Sequence, residues 1–429
     1  LGGSSVGIEQ VETLIIGGGQ AGLSTSFYLT RMGREHVVLE KSTHTVSSWR
    51  HKRWDSFTLV TTNWSFLLPG AEYQGEAPDG FMPRAEVVSR FDRYVEQNSL
   101  PLRFGVQALS VKMEDQGARF HVATDQGAWK AKNVVVATGM FQTPVIPSFS
   151  SGLSKDILQL VPEQYRNPQS LPPGSILVAG SGQSGCQIAE ELYQSGRKVY
   201  LSVGSTGRSP RRYRGKDIND WQQISGFFNR TADMLPSPRA RFSGAPHLSG
   251  KNGGHALNLH QFYRDGVILL GRMAGYENGC LFLSPDLKEN LAKADAFEAN
   301  LLKFVDEYIQ RSGLAAPEED VVILRDGYAA PEIHSLDLQE AGISTIIWAL
   351  GYRFDYSLVR EPVLDAYRFP VTQHGITQTP GLYFVGMPWL PTIKSGLLMG
   401  VGENAEYVAR DIESRIRPAR AIPSLSKSL

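Results

Sequence analysis

Two short glycine-rich stretches carry the strongest chemical signal in this chain. Gly17-Gly18-Gly19-Gln20-Ala21-Gly22 follows the apolar run Val11 to Ile16, and Gly180-Ser181-Gly182-Gln183-Ser184-Gly185 follows Ile176 to Ala179. Both fit G-x-G-x-x-G between a predicted strand and a predicted helix. In that setting the first glycine makes a tight turn and the second lets backbone approach a pyrophosphate. The third lets helix and strand pack closely, and the helix N-terminus turns its positive dipole end toward the phosphates. One such loop is weak evidence. Two in one chain suggest one dinucleotide held permanently and another that comes and goes, an arrangement suited to electron transfer.

The elements around each loop complete the pattern. The first unit is a predicted strand from Val11 to Ile16, a helix from about Gln20 to Met32 stopped by Gly33, and a strand from Val37 to Glu40. Glu40 stands about 20 residues beyond the first loop glycine, where an acidic side chain accepts from ribose hydroxyls. The second unit is a strand from Ser175 to Ala179, a helix from about Gln183 to Ser195, and a strand from Lys198 to Val203. No carboxylate ends that last strand. Arg208, Arg211, Arg212, Arg214 and Lys216 follow it instead. A bare 2′-hydroxyl favours Asp or Glu there, whereas a 2′-phosphate needs cations. The second nucleotide is therefore expected to be NADPH, the alternative being a solvated basic loop.

Between the units, short alternating runs around residues 102–112, 119–124 and 128–130 predict a β-meander. It leads into Asn133-Val134-Val135-Val136-Ala137-Thr138-Gly139, a buried strand ending at small residues, and the pattern recurs as Thr345 to Tyr352. Pro144, Pro147, Pro168, Pro172 and Pro173 mark a linker. Residues 215–279 have weak periodicity and many Gly, Pro and aromatic residues, as expected of an irregular cap over a pocket. A long helix is expected from Ser284-Pro285-Asp286, with Pro285 in its first turn, to Gly313. Its apolar stripe is Leu287, Leu291, Ala294, Leu301, Phe304 and Tyr308.

Composition bounds the rest. The chain has 429 residues, enough for two or more domains, and 43 Lys plus Arg balance 43 Asp plus Glu, so no global charge points to nucleic acid or membrane. No apolar run reaches the roughly 18 residues of a membrane helix. Residues 1–10 lack a signal-peptide pattern and read as a trimmed terminus, so a cytoplasmic protein is expected. The two cysteines, Cys186 and Cys280, allow neither a disulfide framework nor a C-x-x-C redox pair, which argues against disulfide reduction. The nine histidines, His255 and His260 among them, show no metal-ligand spacing.

At this point the chain resembles the flavin-containing monooxygenases, the class B flavoprotein monooxygenases, over nearly its whole length. The resemblance rests on the first loop for FAD and on the second loop with its Ser184. It also rests on Ala137-Thr138-Gly139 and Ala349-Leu350-Gly351-Tyr352, which look like the family's two interdomain hinges. Gly381 to Gly386 is similar to its closing strand near the flavin, and Trp54 to Asn63 to its segment ending in Thr-Asn. It implies an α/β fold of two Rossmann-like dinucleotide-binding domains with a β-meander and a helical and loop insertion at about 205–310. The FAD domain would comprise residues 11–147 and 331–415, with the NADPH domain, 170–330, inserted into it. It also implies FAD contacts at Glu40, Lys41, Val106, Thr138, Gly139, Leu350, Gly351 and Gly386. Trp49 and Arg50 resemble a stretch lying against the flavin.

The family's chemistry would run from NADPH to FAD to oxygen, through a flavin C4a-hydroperoxide that survives only where water is excluded. Asn63 is then the catalytic candidate, its amide donating to the peroxide and accepting from the nicotinamide; the plainer reading is a turn cap. One departure stands out. Tyr165 is kept, but Val161 occupies the place of the family's histidine. That disfavours Baeyer–Villiger chemistry and points to oxygenation of an amine nitrogen or a sulfide sulfur in a small molecule. A flavin reductase without oxygen insertion, a redox-sensing module and a homodimeric assembly remain open.

Overall fold

The computed structural model describes residues 7–114 and 119–416. The first strand, Ile8–Ile16, pairs in parallel with His36–Glu40 on one side and Gly127–Val136 on the other. Helix Gln20–Arg31 crosses between them and ends at Met32, with Gly33 left-handed at φ 66°. Among the described residues the first sheet has seven strands. Leu102–Phe104 extends one edge, Phe120–Thr124 and Ala108–Met113 form an antiparallel meander on the other, and Leu382–Phe384 pairs in parallel with Gly127–Val136. Helix Val401–Ile416 packs on helix Gln20–Arg31, burying Val401, Ala405, Val408 and Ile412 with Ile15 and Tyr383.

Three sequence expectations change here. The expected strand over 102–112 is two strands, because Gly105 turns the chain at φ 71°. The runs 128–130 and 133–136 are one continuous strand, whose two halves serve the meander and the parallel core. Residues 8–10, read as part of a trimmed terminus, belong to the first strand.

The second sheet has five parallel strands in the order Ile268–Leu270, Val199–Ser202, Ser175–Ala179, Ile343–Trp348, Leu158–Leu160. Helix Gln183–Gln194 follows its glycine loop. Leu158–Leu160 lies in the expected linker, Ile268–Leu270 in the expected insertion, and Ile343–Trp348 beyond residue 330. The expected boundaries at 170 and 330 thus fall within this sheet. The long helix is Leu287–Ser312, with Asp286 as N-cap and Gly313 left-handed at its end. Pro285 therefore lies before the cap rather than in the first turn, and the Asp286 carboxylate caps no backbone N–H of the helix, being taken by the Arg272 N–H at 2.9 Å and by the Arg272 guanidinium. Its buried stripe continues through Val305 and Ile309, with Phe304 and Tyr308 half-buried beside it.

The two sheets are joined by a short antiparallel ribbon of Thr143–Pro144 with Tyr352–Arg353. Gln142 braces it: its side-chain Nε2 donates to the Gly139 carbonyl at 2.7 Å while Oε1 accepts from Asp355 N at 3.0 Å. Among the described residues, no helix is long and apolar enough to cross a membrane.

Candidate active site

The two glycine loops have the same local geometry. A Cβ on Gly17 would stand 2.6 Å from the Ala137 carbonyl oxygen, and one on Gly180 would stand 2.6 Å from that of Ala349. Both glycines have positive φ, 113° and 104°. A Cβ on Gly22 would lie 1.9 Å from Gly17 O, and one on Gly185 1.9 Å from Gly180 O. Side chains are therefore excluded where strand, loop and helix meet. Gly19 and Gly182 face the other way, with open space or only the Thr206 hydroxyl at 3.9 Å before them. Each caps its helix without a side-chain hydrogen bond, and neither first turn holds an acid. Two uncapped helix N-termini above open glycine faces fit the pyrophosphates of two dinucleotides.

Glu40 is buried at the end of its strand. Its Oε2 accepts from Gly18 N at 2.8 Å and Oε1 from Ser42 N at 2.8 Å, which orients the carboxylate beside the loop. The Val106 N–H reaches Glu40 O at 3.1 Å, bringing Val106 to the same end, while Lys41 is exposed. Ala21 is buried, and a Cβ on Gly386, at φ 85°, would lie 2.3 Å from the Ala21 Cβ, so the closing strand's exit packs on the first helix start. Gln20 and Gln183 act alike: Gln20 Nε2 donates to Gly396 O at 2.8 Å, and Gln183 pairs through both side-chain atoms with the Leu248 backbone. Thr138 Oγ1 accepts from Gln142, Tyr356 donates to Gly139 O at 2.9 Å, and Gly351 O accepts from Val145 N at 3.0 Å. Leu350 packs beside Gly180, and Ser184 is half-buried on the second helix.

Asn63 is 6 % exposed and opens a short 3-10 turn, Asn63–Ser65. Its N–H donates to Gly80 O at 2.9 Å, and its side-chain Nδ2 donates to Ala77 O at 3.0 Å. Oδ1 is buried without a protein partner, as is the Thr62 hydroxyl. The chain then runs through Phe66 and Leu68, which share a core with Leu23, Phe91 and Leu398. Pro69 meets the start of the last helix, where a Cβ on Gly402 would stand 2.7 Å from its Cγ. The Asn63 turn thus sits on the packing between the first helix and the N-terminal end of the last.

The cations are distributed differently from the sequence expectation. Arg50 donates from Nη2 to both carboxylate oxygens of Asp92, at 2.6 and 2.8 Å, beside half-buried Trp49, whose ring lies under Arg53. Arg208 is buried against Asp295 and Glu298, and Arg211 is buried against Asp217. The Arg208 and Arg211 charges are thus met by carboxylates inside the protein, and that of Arg50 by a half-exposed one. Arg212 is exposed and, among the described residues, donates to the Gly253 and Gly254 carbonyls. Arg214 meets Asp306. Val161, in the place of the family's histidine, is buried, and Tyr165 donates to Glu191 at 2.9 Å. Among the described residues no cluster of His, Cys, Asp or Glu could hold a metal.

Residues 14–222 match the family model described as pyridine nucleotide-disulphide oxidoreductase. The chain is 32 % identical over 404 residues to an uncharacterised CzcO-like oxidoreductase of Geobacillus kaustophilus, covering 94 % of this chain and 98 % of that one. It is 26 % identical over 415 residues to the indole-3-pyruvate monooxygenase YUCCA1 of Oryza sativa subsp. japonica, covering 94 % and 92 %. The chain belongs to the family of CzcO-like oxidoreductases. A flavin-containing monooxygenase from Stenotrophomonas maltophilia shares its fold, with a TM-score of 0.63 at 18 % identity over 96 % of this chain and all of that one. OTEMO, whose structure is a complex with FAD and NADP, also shares the fold, with a TM-score of 0.58 at 17 % identity over 95 % of this chain and 86 % of that one, and this chain is an oxidoreductase.

The structure puts both loops at strand-to-helix turns, Glu40 beside the first of them and Asn63 in a buried turn. Sequence reasoning did not foresee Ala77 and Gly80, whose carbonyls hold Asn63, or Asp217, the partner of Arg211. Pro78-Asp79-Gly80 is a local turn signal, and nothing in it says that the turn folds back on Asn63.

Proposed function

We propose that this enzyme uses NADPH and oxygen to add one oxygen atom to a nitrogen or sulfur atom of a small molecule. Bound FAD would accept hydride from NADPH and activate oxygen, one atom passing to the substrate and the other leaving as water. This chain's residues bind, orient and shield. The helix starts at Gln20 and Gln183 would face the two pyrophosphates, and Glu40 would fix the adenosine ribose beside Gly18. Asn63 supports the reading most strongly: a buried, unpartnered Oδ1 and one uncommitted N–H on a side chain whose orientation is set by Ala77. Such an uncharged amide can accept from the nicotinamide and donate toward oxygen without bringing in a mobile proton.

NADPH over NADH is supported by the strand end Val203-Gly204-Ser205-Thr206, which carries no carboxylate to repel a 2′-phosphate. With Arg208 and Arg211 paired internally, exposed Arg212 is the proposed phosphate contact. Apolar packing of Val161 favours amine or sulfide oxygenation over Baeyer–Villiger chemistry, and a cytoplasmic location accompanies this reading. The test is turnover with isotopically labelled oxygen on tertiary amines and thioethers. The reading expects one labelled atom per product and one NADPH per oxygen. Rapid NADPH-dependent quinone reduction, with all oxygen recovered as hydrogen peroxide, would favour the reductase instead.

A further inference from the structure

The irregular stretch after the second nucleotide unit reaches across to the segment that carries Asn63. Arg211 and Asp217 leave a small hairpin, Arg212–Tyr213 with Lys216–Asp217, and their side chains are about 3 % and 4 % exposed. Arg211 Nε donates to Asp217 Oδ2 at 2.7 Å, and Nη2 donates to Oδ1. The remaining edge of the guanidinium, Nη1, donates to the Val60 carbonyl at 2.8 Å, and its face lies over the Phe81 ring at 4.6 Å. Asp217 also caps the helix Ile218–Ile224 by accepting from Asn219 N at 2.9 Å. From that helix, Asp220 Oδ1 accepts from Trp64 Nε1 at 2.8 Å. Close by, a Cβ on Gly250 would stand 2.0 Å from Leu59 O. Two anchors from one short unit therefore grip Val60 and Trp64, on either side of Asn63.

We propose that Arg211, oriented by Asp217, is a positioning residue that holds the Val60–Trp64 segment and through it the Asn63 amide. The inference rests on the role of Asn63 proposed above. A buried ion pair is costly to desolvate and gives little net stability, so a planar fork with every edge engaged is better suited to fixing geometry than to adding stability. A lysine could keep the charge against Asp217 but not reach Val60 in the same plane.

The test compares wild type with Arg211→Met/Asp217→Leu, which removes the pair without stranding a charge. Hydrogen exchange across residues 58–65 is expected to quicken by at least about tenfold, with the glycine-loop peptides unchanged. Hydrogen peroxide released per NADPH should rise, while the KM values for NADPH and NADH move by the same factor. Trp64→Phe should give the same pattern more weakly, and Arg211→Lys serves if the double variant does not fold. Unchanged exchange over 58–65 overturns the proposal. So does a selective rise in the NADPH KM without extra peroxide, which would make Arg211 a phosphate ligand. If wild type itself returns all oxygen as peroxide, the oxygenase reading fails, and the exchange measurement still decides the anchor.

Discussion

The Asn63 side chain donates from Nδ2 to the Ala77 carbonyl at 3.0 Å, which fixes which end of its amide is which. The reverse orientation would set two acceptors against each other. Oδ1 is thereby left buried and open. Asn63→Leu is expected to bind FAD and accept electrons from NADPH, yet return oxygen as hydrogen peroxide. A preorganised polar group at developing charge contributes about 3 kcal/mol, enough to decide between transfer and release. Asn63→Asp should fail too, because a carboxylate oxygen would face Ala77 O. Peroxide release per NADPH checks both variants, and coupling equal to wild type would reduce Asn63 to a turn residue.

Glu40 is the second test. Its carboxylate already holds Gly18 N and Ser42 N, so its loss should disorder the loop as well as remove the ribose contact. Hydrogen bonds to a charged group contribute about 1.5–3 kcal/mol each. Glu40→Ala should therefore bind FAD about tenfold more weakly or worse, read from flavin absorbance per protein after dialysis.

Arg212 tests nucleotide choice. If its exposed guanidinium meets the 2′-phosphate, Arg212→Ala should raise the KM for NADPH by roughly tenfold and leave that for NADH nearly unchanged. Steady-state kinetics with both nucleotides check this, and equal changes would remove Arg212 from the site.

His247 gives a pH signature. It is fully buried beside Leu248, which Gln183 clasps, and burial with the nearby Arg208 charge pushes its pKa down to about 4 from 6.5. The folded protein keeps this ring neutral while the unfolded chain takes up a proton below pH 6.5. Stability should thus be lost as pH falls from 6.5 toward about 4, on the order of 3 kcal/mol in total. His247→Phe should show a shallower fall of Tm over that range, measured by calorimetry. Parallel Tm profiles would contradict the assignment.

The two nucleotide units were legible because their signals are local. Glycine spacing, strand periodicity and an acid at a fixed offset are all set by neighbouring residues, and Gly17, Gly180 and Glu40 stand where those rules place them. The edge strand Leu158–Leu160 hid within a proline-rich stretch because three residues carry no period. Arg211 illustrates the other limit. Its position after the second strand suggested a phosphate, but Asp217, six residues on, and Val60, far back in the chain, claim its charge and donors. Partner choice of that kind is decided by tertiary packing.

Mixing NADPH-reduced enzyme rapidly with oxygen tests the central claim most directly, since it requires no knowledge of the substrate. The oxygenase account predicts that oxygen is consumed first and the oxidised-flavin spectrum returns only after a measurable lag, which Asn63→Leu shortens. Simultaneous oxygen loss, flavin reoxidation and stoichiometric hydrogen peroxide, in wild type and Asn63→Leu alike, would contradict it.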